Sequence, residues 1–324
     1  MKVSIAMATY NGEEYIKEQL ESFINQTIQP DELIISDDKS TDNTLKIIHE
    51  FAENVSFEIK VTVNDYNLGY TGNFNSALLK STGDVVFLCD QDDVWFPEKI
   101  KHMLNVMNNN PDNLVYMNDT LLTDDKLNSK NLTKYGQIKS ADLGDDKFVM
   151  GCCCMIRQEL LTYCLPVPSE LKGHDDWIVG IAEGLSQKYI DETVLQYYRR
   201  HESNESNFIA NKTKKINKKD IWFSELKKMI LKKEIRLNKA NEYLKQEKIF
   251  FKGLLNIKKL IPKKFDEEFK KFLDKRIEKL KVLELRYRLR ESNIIKRSIS
   301  APYFYFFVYD KKTRFRNMLR DIIS

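Results

Sequence analysis

The sequence predicts an α/β fold in which a mostly parallel sheet is flanked by helices, followed by a separate helical region. Short apolar, β-favouring runs alternate with amphipathic segments as far as residue 198, and the connections between them are short. Residues 212–293 then contain one Gly and one Pro and are dense in Lys, Arg, Glu and Leu. We therefore expect a first domain at residues 1–210 and a basic helical region at residues 211–324.

Strands and helices alternate in the first ninety residues. Strands are predicted where β-favouring apolar residues cluster, at residues 3–9, 32–36, 57–63 and 84–89. Helices are predicted where apolar residues recur every three or four positions, at residues 13–26, 43–51 and 71–80. Residues 85–89 are apolar throughout, which indicates a central strand covered on both faces.

The remainder of the first domain continues the alternation around one long polar stretch. A helix is predicted from Pro97, because proline is favoured in the first turn of a helix. Further helices are predicted at residues 158–164 and 177–185, and strands at residues 114–117 and 193–198. Residues 149–156 are apolar, whereas the polar residues 123–146 predict a mobile loop.

The charge is divided unevenly along the chain. The whole sequence carries +4, but residues 1–210 hold 18 Lys and Arg against 34 Asp and Glu, and the remainder holds 34 against 14. A basic segment of this kind usually meets nucleic acid or an anionic membrane surface. The aromatic run at residues 302–309, followed by Lys and Arg, predicts attachment to a membrane surface, the alternative being aromatics packed into a helical core.

Signals for export or membrane spanning are absent from the sequence pattern. No apolar run reaches the roughly 18 residues that a span requires, and no cleavage site of small residues follows the N-terminal apolar run. We expect a cytoplasmic protein, peripheral to the inner face of the cell membrane if the basic region attaches there. The five cysteines lack a Cys-x-x-Cys spacing for zinc and are interpreted as reduced core thiols.

Polar and acidic residues follow three of the predicted strands, where ligands bind in open α/β sheets. They are Thr9, Tyr10 and Asn11 after the first strand, Asp37 and Asp38 after the second, and Asp90, Asp92 and Asp93 after the fourth. Three acids within four residues raise one another's pKa, so we expect a divalent cation with oxygen ligands, Mg²⁺ or Mn²⁺. The alternative is that Asp92 or Asp93 caps the helix near Pro97.

Four segments together resemble the family-2 inverting glycosyltransferases of GT-A fold, in particular the bacterial rhamnosyltransferase-like branch. They read VSIAMATYNGEEYIKEQLESFINQT, DELIISDDKSTDNT, NLGYTGNFNSAL and STGDVVFLCDQDDVWFPEKI, and they stand in the order that this family has. The resemblance covers about residues 1–207 and implies a GT-A-like catalytic domain at residues 1–210. Neither a Gly-x-Gly-x-x-Gly motif nor a phosphate loop is present in the sequence.

The resemblance implies a nucleotide pocket. Its members would be Thr9, Tyr10, Asn11, Asp37, Asp38, Asn67, Gly69 and Asp90. The Asp38 carboxylate would accept a hydrogen bond from the imide N–H of uracil or thymine, with Asp37 supporting it. Gly69 would allow close approach of the backbone. The alternative for the aspartate pair is a cap on the helix at residues 43–51, although Asp42 or Thr41 can serve there.

The resemblance also implies a metal site and a general base. Asp90 and Asp92 correspond to the family's Asp-x-Asp signature, with Asp92 as the direct ligand, and His201 would complete the coordination or be structural. Arg199 and Arg200 are alternative diphosphate contacts. Asp175 matches the general base of a His-Asp-Trp-Trp segment, but this chain has Asp176 where Trp is usual, and Asp175 could instead cap a helix.

Together these features imply a metal-dependent, inverting transfer of a sugar, with rhamnose as the leading candidate, from a dTDP or UDP donor. The acceptor would be a hydroxyl of a saccharide or lipid-linked saccharide in bacterial surface polysaccharide synthesis. A sugar-1-phosphate nucleotidyltransferase is the alternative enzyme, but the N-terminal turn lacks the glycine-rich basic loop of that class. A nucleic-acid-binding role is disfavoured, because the basic helices lack a docking motif and the first domain is acidic.

Overall fold

The computed structural model describes residues 1–202, 204, 208–229, 233–292, 300 and 318. The chain divides into two compact units, Met1–Lys218 and Lys219–Ser324. The aromatic and basic residues at 302–320 that predict membrane attachment lie outside the described residues.

The first unit alternates strands and helices as the sequence predicts. Its strands are β1 Val3–Thr9, β2 Glu32–Asp37, β3 Glu58–Val63, β4 Val85–Cys89, β5 Val94–Trp95, β6 Val115–Thr123, β7 Ser129–Thr133, β8 Cys154–Arg157 and β9 Lys188–Arg199. Its helices are α1 Ile16–Ile24, α2 Thr44–Ala52, α3 Gly69–Leu78, α4 Lys99–Asn109, α5 Lys134–Ser140, α6 Gln158–Cys164 and α7 His174–Gly184. The α/β class is therefore confirmed.

All nine strands belong to one sheet, in the order β3-β2-β1-β4-β8-β6-β9-β5, with β7 paired to β6. The first four strands of this order are mutually parallel, and β9 is parallel to β6. Strands β5, β7 and β8 run antiparallel to their neighbours. Strand β4 is buried at every residue, as its continuous apolar sequence predicts, because helices cover both faces of a central strand.

The prediction of a mobile loop at residues 123–146 is wrong. Strand β7 and helix α5 form there, and α5 begins with the Thr133 hydroxyl accepting a hydrogen bond from the Gly136 N–H. Lys134, Gln137 and Ile138 are buried, so tertiary contacts order a segment whose composition is that of a loop.

The second unit is built from long helices, as predicted. Helix α8 spans Lys218–Met229 across the boundary, α9 spans Lys233–Ile257 and α10 spans Asp266–Glu291. Helices α9 and α10 pack on each other, burying Phe250 and Leu254 of the first and Phe272 of the second. Arg276 lies over both phenyl rings and its guanidinium donates to Glu247, 2.8 Å away.

All five cysteines are buried and free of disulfides, as expected of reduced core thiols. Among the described residues, no helix has the length and apolar character needed to cross a membrane.

Candidate active site

Strand order places the three predicted polar turns at one edge of the sheet. β1 lies between β2 and β4, and all three strands are parallel. Thr9 is paired with Asp37 at the last position of that ladder, and Met7 is paired with Cys89, the residue before Asp90. The sequence-based juxtaposition of these turns therefore has a direct structural basis.

Asp37 is fully buried and braces its own turn. Its Oδ2 accepts hydrogen bonds from the Thr9 hydroxyl at 2.7 Å and the Ser40 hydroxyl at 2.6 Å, and its Oδ1 accepts from the Ser40 N–H at 2.8 Å. The carboxylate thus joins the end of β1 to the turn after β2. Asp37 does not bind the start of helix α2, where the Thr44 N–H instead donates a hydrogen bond to the Asp42 carboxylate.

Asp38 holds the turn that precedes helix α3. Its Oδ1 accepts from the Leu68 N–H at 2.7 Å and from the Asn64 amide at 3.0 Å, while Oδ2 accepts from the Gly69 N–H at 2.9 Å. One lone pair of Oδ2 is not used by these bonds. The Asn67 side chain also accepts from the Gly69 N–H, so both predicted residues of this turn are brought beside Asp38.

Gly69 adopts a φ of +71°, a conformation in which glycine avoids the strain of a side chain. A Cβ built at Gly69 has no heavy atom within 4 Å outside its chain neighbours, so open space lies over this turn. That space allows the close backbone approach to a ligand that the sequence predicts here.

Gln91 clamps the first turn to the third. Its side-chain oxygen accepts from the Tyr10 N–H at 2.9 Å and its amide donates to the Tyr10 carbonyl at 3.0 Å. A Cβ on Gly12 would lie 2.4 Å from the Gln91 oxygen, so glycine is needed for the amide to fit. Asn11, at a φ of 45°, accepts from the Thr41 N–H and fixes the neighbouring turn. Tyr10 itself is about half exposed, at 47%.

The carboxylates after β4 are crowded and poorly compensated. Oxygen atoms of Asp90 and Asp93 and the Cys152 sulfur all lie within 4.8 Å of one another. Burial, together with the Asp92 and Asp175 carboxylates, raises the pKa of Asp90 to about 7. Burial and the neighbouring Asp92 and Asp90 carboxylates raise the pKa of Asp93 well above its usual range. Such a cluster is typical of a cation site.

Asp92 and His201, two of the predicted metal ligands, are in direct contact. The His201 Nε2 lies 2.7 Å from the Asp92 Oδ2, and the Asn204 amide donates to the same oxygen at 3.1 Å. The Tyr15 ring stacks on the imidazole with ring centres 4.8 Å apart. Neither Asn204 nor Tyr15 carries a sequence signal that marks it as part of a site.

Lys99 lies beneath the acidic cluster and is fully buried. Its ammonium group donates to the Cys152 carbonyl at 2.9 Å and to the side-chain oxygen of Gln196, and it lies 4.0 Å from the centre of the Trp95 ring. The Gln196 amide donates in turn to Asp93 at 2.9 Å. Burial lowers the pKa of Lys99. Asp93 is thus bound by Gln196, which Lys99 contacts in turn. It does not cap α4, because that helix begins after Glu98 without a side-chain cap.

Arg199 is a structural residue, so the alternative that it contacts a diphosphate is wrong. Its guanidinium is almost fully buried and donates to the Asp92 carbonyl at 2.9 Å, to the Asp125 carbonyl at 2.5 Å and to Glu18. These bonds use all three nitrogens of the guanidinium. Arg200, the next residue, is partly exposed and its guanidinium lies over the Tyr198 ring.

Asp175 lies in the first turn of α7, close enough to the cluster to raise the pKa of Asp90. Its Oδ1 accepts from the Asp176 N–H at 2.9 Å, but no side chain caps the Gly173 position that precedes the helix. Gly173 has a φ of +104°, and a Cβ there would lie 2.9 Å from an Asp176 oxygen. Asp175 is partly buried and Asp176 is exposed.

His174 is buried against the Phe74 ring, with ring centres 4.0 Å apart. Burial lowers the pKa of His174, which favours the neutral imidazole. Neither ring nitrogen has a hydrogen-bond partner among the described residues. A Cβ on Gly151 would lie 3.1 Å from the Nε2, so glycine there makes room for the imidazole.

Solved structures with the same architecture are glycosyltransferases. Staphylococcus aureus TarS, residues 1–349, superposes with a TM-score of 0.57 at 19% identity, over 99% of this chain and 80% of that one. The Pyrobaculum calidifontis mannosyltransferase PcManGT, in complex with GDP-Man and Mn²⁺, gives a TM-score of 0.52 at 14% identity, over 99% and 84% of the chains. At such identities the likeness shows the fold alone, which is that of the GT-A glycosyltransferases.

Sequence comparison identifies the family. The Glycosyl transferase family 2 model matches residues 4–164. The dTDP-rhamnosyl transferase RfbG of Shigella flexneri is 31% identical over 212 residues, which are 61% of this chain and 73% of the relative. The Escherichia coli glucosyltransferase WfgD is 32% identical over 128 residues, 40% of this chain and about half (49%) of that protein. The chain belongs to glycosyl transferase family 2, as its motifs predict.

Proposed function

We propose that the chain transfers a sugar from a nucleoside-diphosphate donor to a hydroxyl of a saccharide or lipid-linked saccharide, with inversion at the anomeric carbon. The observation that supports this most strongly is the position of Asp175, whose Cβ lies 3.6 Å from a Cβ built on Gly151, the residue before Cys152 of the acidic cluster. Such a displacement requires a base for the acceptor hydroxyl and positive charge for the leaving diphosphate, which a cation at the acidic cluster would supply.

Asp175 acts as the general base in this proposal. The acceptor oxygen attacks the anomeric carbon from the face opposite the diphosphate, and its proton passes to the Asp175 carboxylate. The bond between that carbon and the diphosphate oxygen breaks, so the electron pair leaves with the nucleoside diphosphate.

The donor types present suit a divalent cation, Mg²⁺ or Mn²⁺: Asp90 and Asp92 offer carboxylate oxygens and His201 offers a nitrogen beside Asp92. The group that lies within 4.8 Å among the described residues is Asp90, Asp93 and Cys152. Burial, with the Asp92 and Asp175 carboxylates, raises the pKa of Asp90. When bound, the cation supplies positive charge that offsets the diphosphate. Lys99 and Gln196 support the cluster from within the protein.

The nucleoside lies in this proposal over the turns after β1 and β2, with Thr9, Asn11 and Asp37 shaping the pocket. The unused lone pair of the Asp38 Oδ2 accepts from the imide N–H of a pyrimidine base, and Tyr10 offers an exposed ring. A dTDP or UDP donor is supported by the donors of two relatives, dTDP-rhamnose for RfbG and UDP-glucose for WfgD. We propose rhamnose as the sugar that is transferred and a bacterial surface polysaccharide as the product to which the acceptor belongs.

We further propose that residues 1–210 form the catalytic domain and that residues 211–324 attach it to the cytoplasmic face of a membrane. The division into compact units at Lys218 and the basic charge of the second unit support this. Truncation after Ser298 should abolish salt-sensitive binding to anionic liposomes and retain turnover of a soluble acceptor. Unchanged liposome binding would contradict the attachment.

The function is tested by screening nucleotide sugars for acceptor-dependent release of diphosphate. Asp175→Asn should retain donor binding and lower turnover by roughly two to four orders of magnitude, since a positioned base contributes about that much. Asp176→Asn is the matched control, because it removes the same charge one residue away. An inactive Asp176→Asn with an active Asp175→Asn would move the base to Asp176.

A further inference from the structure

A basic cavity of about 350 Å³ lies in the first unit, beyond the end of β9. Its lining is Arg200, Phe208, Asn211, Lys212, Thr213 and Lys214. Arg200, Lys212 and Lys214 therefore bring three positive charges together in this cavity. Residues 1–210, by contrast, hold 34 acidic and 18 basic residues. A local concentration of positive charge on an acidic unit indicates a site for an anion.

Among the described residues, no carboxylate forms an ion pair with the cations of this cavity. Lys212 and Lys214 form no ion pair with any residue that the structure describes, and Arg200 likewise has none. Other exposed lysines of the unit, such as Lys17 and Lys46, lie 3.9 Å from glutamates on their own helices. An anion that binds these lysines therefore displaces no carboxylate of the described residues.

The backbone that carries these lysines is fixed by buried side chains of α5. The Gln137 amide donates to the carbonyls of Lys212 and Lys214 at 2.9 and 2.8 Å, and its oxygen accepts from the Ile216 N–H at 3.0 Å. The Ser140 hydroxyl donates to the Ile216 carbonyl. The lysine side chains therefore extend from a preorganised segment, which lowers the entropy lost when an anion binds.

Lys134 connects the cavity to the surroundings of the candidate base, Asp175. Lys134 is buried, donates to the Asn211 side chain and lies over the Phe208 ring, so it contacts two residues of the lining. Burial lowers the pKa of Lys134 to about 8, and Arg200 and Asp175 are both close enough to act on it. The cavity and Asp175 therefore share a neighbourhood.

We propose that this cavity binds the phosphate or diphosphate group of the acceptor, which rests on the proposed glycosyl transfer. Phosphate oxygens are strong acceptors for Lys and Arg, and the Thr213 hydroxyl adds a neutral donor. The base must contact the acceptor hydroxyl, and a charged group elsewhere on the same molecule requires a cationic site, which this cavity offers. The competing occupant is the diphosphate of the donor, which presents the same chemistry.

The test uses the full chain with Lys212→Gln and Lys214→Gln combined. Both side chains are exposed, and their backbone contacts with Gln137 remain, so folding should be unchanged by circular dichroism. The matched control combines Lys17→Gln with Lys46→Gln, which removes the same charge from α1 and α2. Binding of inorganic pyrophosphate is measured by calorimetry without divalent cations. We expect about a tenfold or greater rise in Kd for the cavity variant and little change for the control.

Steady-state kinetics then identify the source of the phosphate. The cavity variant should raise the KM of a phosphate-bearing acceptor and leave that of the donor unchanged. A matching rise in the donor KM, or equal pyrophosphate binding by wild type and variant, overturns the proposal. Failure of the wild-type chain to transfer sugar to any acceptor, with the pyrophosphate difference present, would refute the proposed function and leave the anion site standing.

Discussion

The turns after β2 and β4 both carry aspartates at one edge of the sheet, but only the aspartates after β2 have their charge compensated by several hydrogen bonds. The Asp37 and Asp38 carboxylates each accept three hydrogen bonds from neighbouring turns. After β4, burial and mutual repulsion instead raise the pKa values of Asp90 and Asp93. The hydrogen bonds of the first pair stabilise the fold and leave one lone pair of Asp38 for a ligand, whereas the carboxylates of the second group repel one another, and a cation would relieve that repulsion.

The difference teaches that the supply of hydrogen-bond donors, rather than the number of acidic residues, decides whether buried aspartates stabilise the fold or repel one another. Substitutions at the two turns should therefore have opposite effects on stability and activity. The following experiments are arranged from the largest expected effect to the smallest.

Asp92→Ala should give the largest loss of activity. Removal of a carboxylate that would hold the cation leaves the diphosphate charge without its compensation, so turnover should fall by about three orders of magnitude or more. Diphosphate release and Mn²⁺-dependent binding of nucleotide measure the effect. The melting temperature should change little, since the relief of repulsion offsets the lost contacts with His201 and Asn204. Turnover near that of the wild type would refute the cation site.

Asp37→Ala should mainly affect stability. The Thr9 and Ser40 hydroxyls and the Ser40 N–H would lose their acceptor, which should lower the free energy of unfolding by about 3 kcal/mol. Urea unfolding followed by circular dichroism measures this. Asp90→Asn is the matched variant from the other turn and should leave stability equal or higher. Equal losses in both variants would break the distinction between the two turns.

Glu32, at the opposite end of β2 from the site, extends the comparison to pH. Burial opposes its ionisation, but hydrogen bonds from Ser4, Lys2 and Thr82 prevail and lower its pKa to about 2. A lowered pKa stabilises the folded state above the unfolded value near 4.5, and this stabilisation is lost as the pH falls through about 2.

Glu32→Gln should therefore remove about 2 kcal/mol of stability at pH 7 and flatten the stability profile between about pH 5 and pH 2. Unfolding in urea across this pH range is the measurement. Glu58→Gln, at an exposed position of β3, is the control and should retain the wild-type profile. A profile unchanged in Glu32→Gln would contradict the role of its hydrogen bonds.

The Gln91 clamp joins the turn after β1 to the turn after β4, and its removal should have the smallest effect. Gln91→Ala removes two hydrogen bonds to Tyr10, so stability should fall by about 1 kcal/mol and the donor KM should rise several-fold. Gly12→Ala alone places a Cβ against the Gln91 side chain. The double variant should therefore lose less than the sum of the two single variants, and strict additivity would show that the contact is unimportant.

The alternation of strands and helices could be predicted because local patterns agree with the tertiary fold. Val3–Thr9 and Gln158–Cys164 have the predicted bounds, since each is an apolar or amphipathic segment between polar turns. Strand β9 begins at Lys188 rather than Thr193, because pairing with β6 extends it over polar residues. The two-residue strand β5 is too short for a periodic signal.

The site could be predicted only where residues adjoin strand ends or known motifs. Strand order alone brings Thr9 beside Asp37, and motif order marks Asp92 and Asp175. Lys99 and Gln196 were missed because they reach the acidic cluster from distant segments, and their sequence positions look like ordinary polar sites on a helix and a strand. Their tertiary contacts, rather than local pattern, define their role.

The burial of all five cysteine thiols also makes the protein suited to site-specific chemistry. Burial raises the pKa of Cys89, Cys152, Cys154 and Cys164, so these thiols stay protonated and shielded from maleimides. Tyr66 is 68% exposed next to Asn67 and Gly69. A cysteine in place of Tyr66 would be the one readily labelled thiol in the chain, and a dye attached there would report the arrival of a nucleotide by its emission.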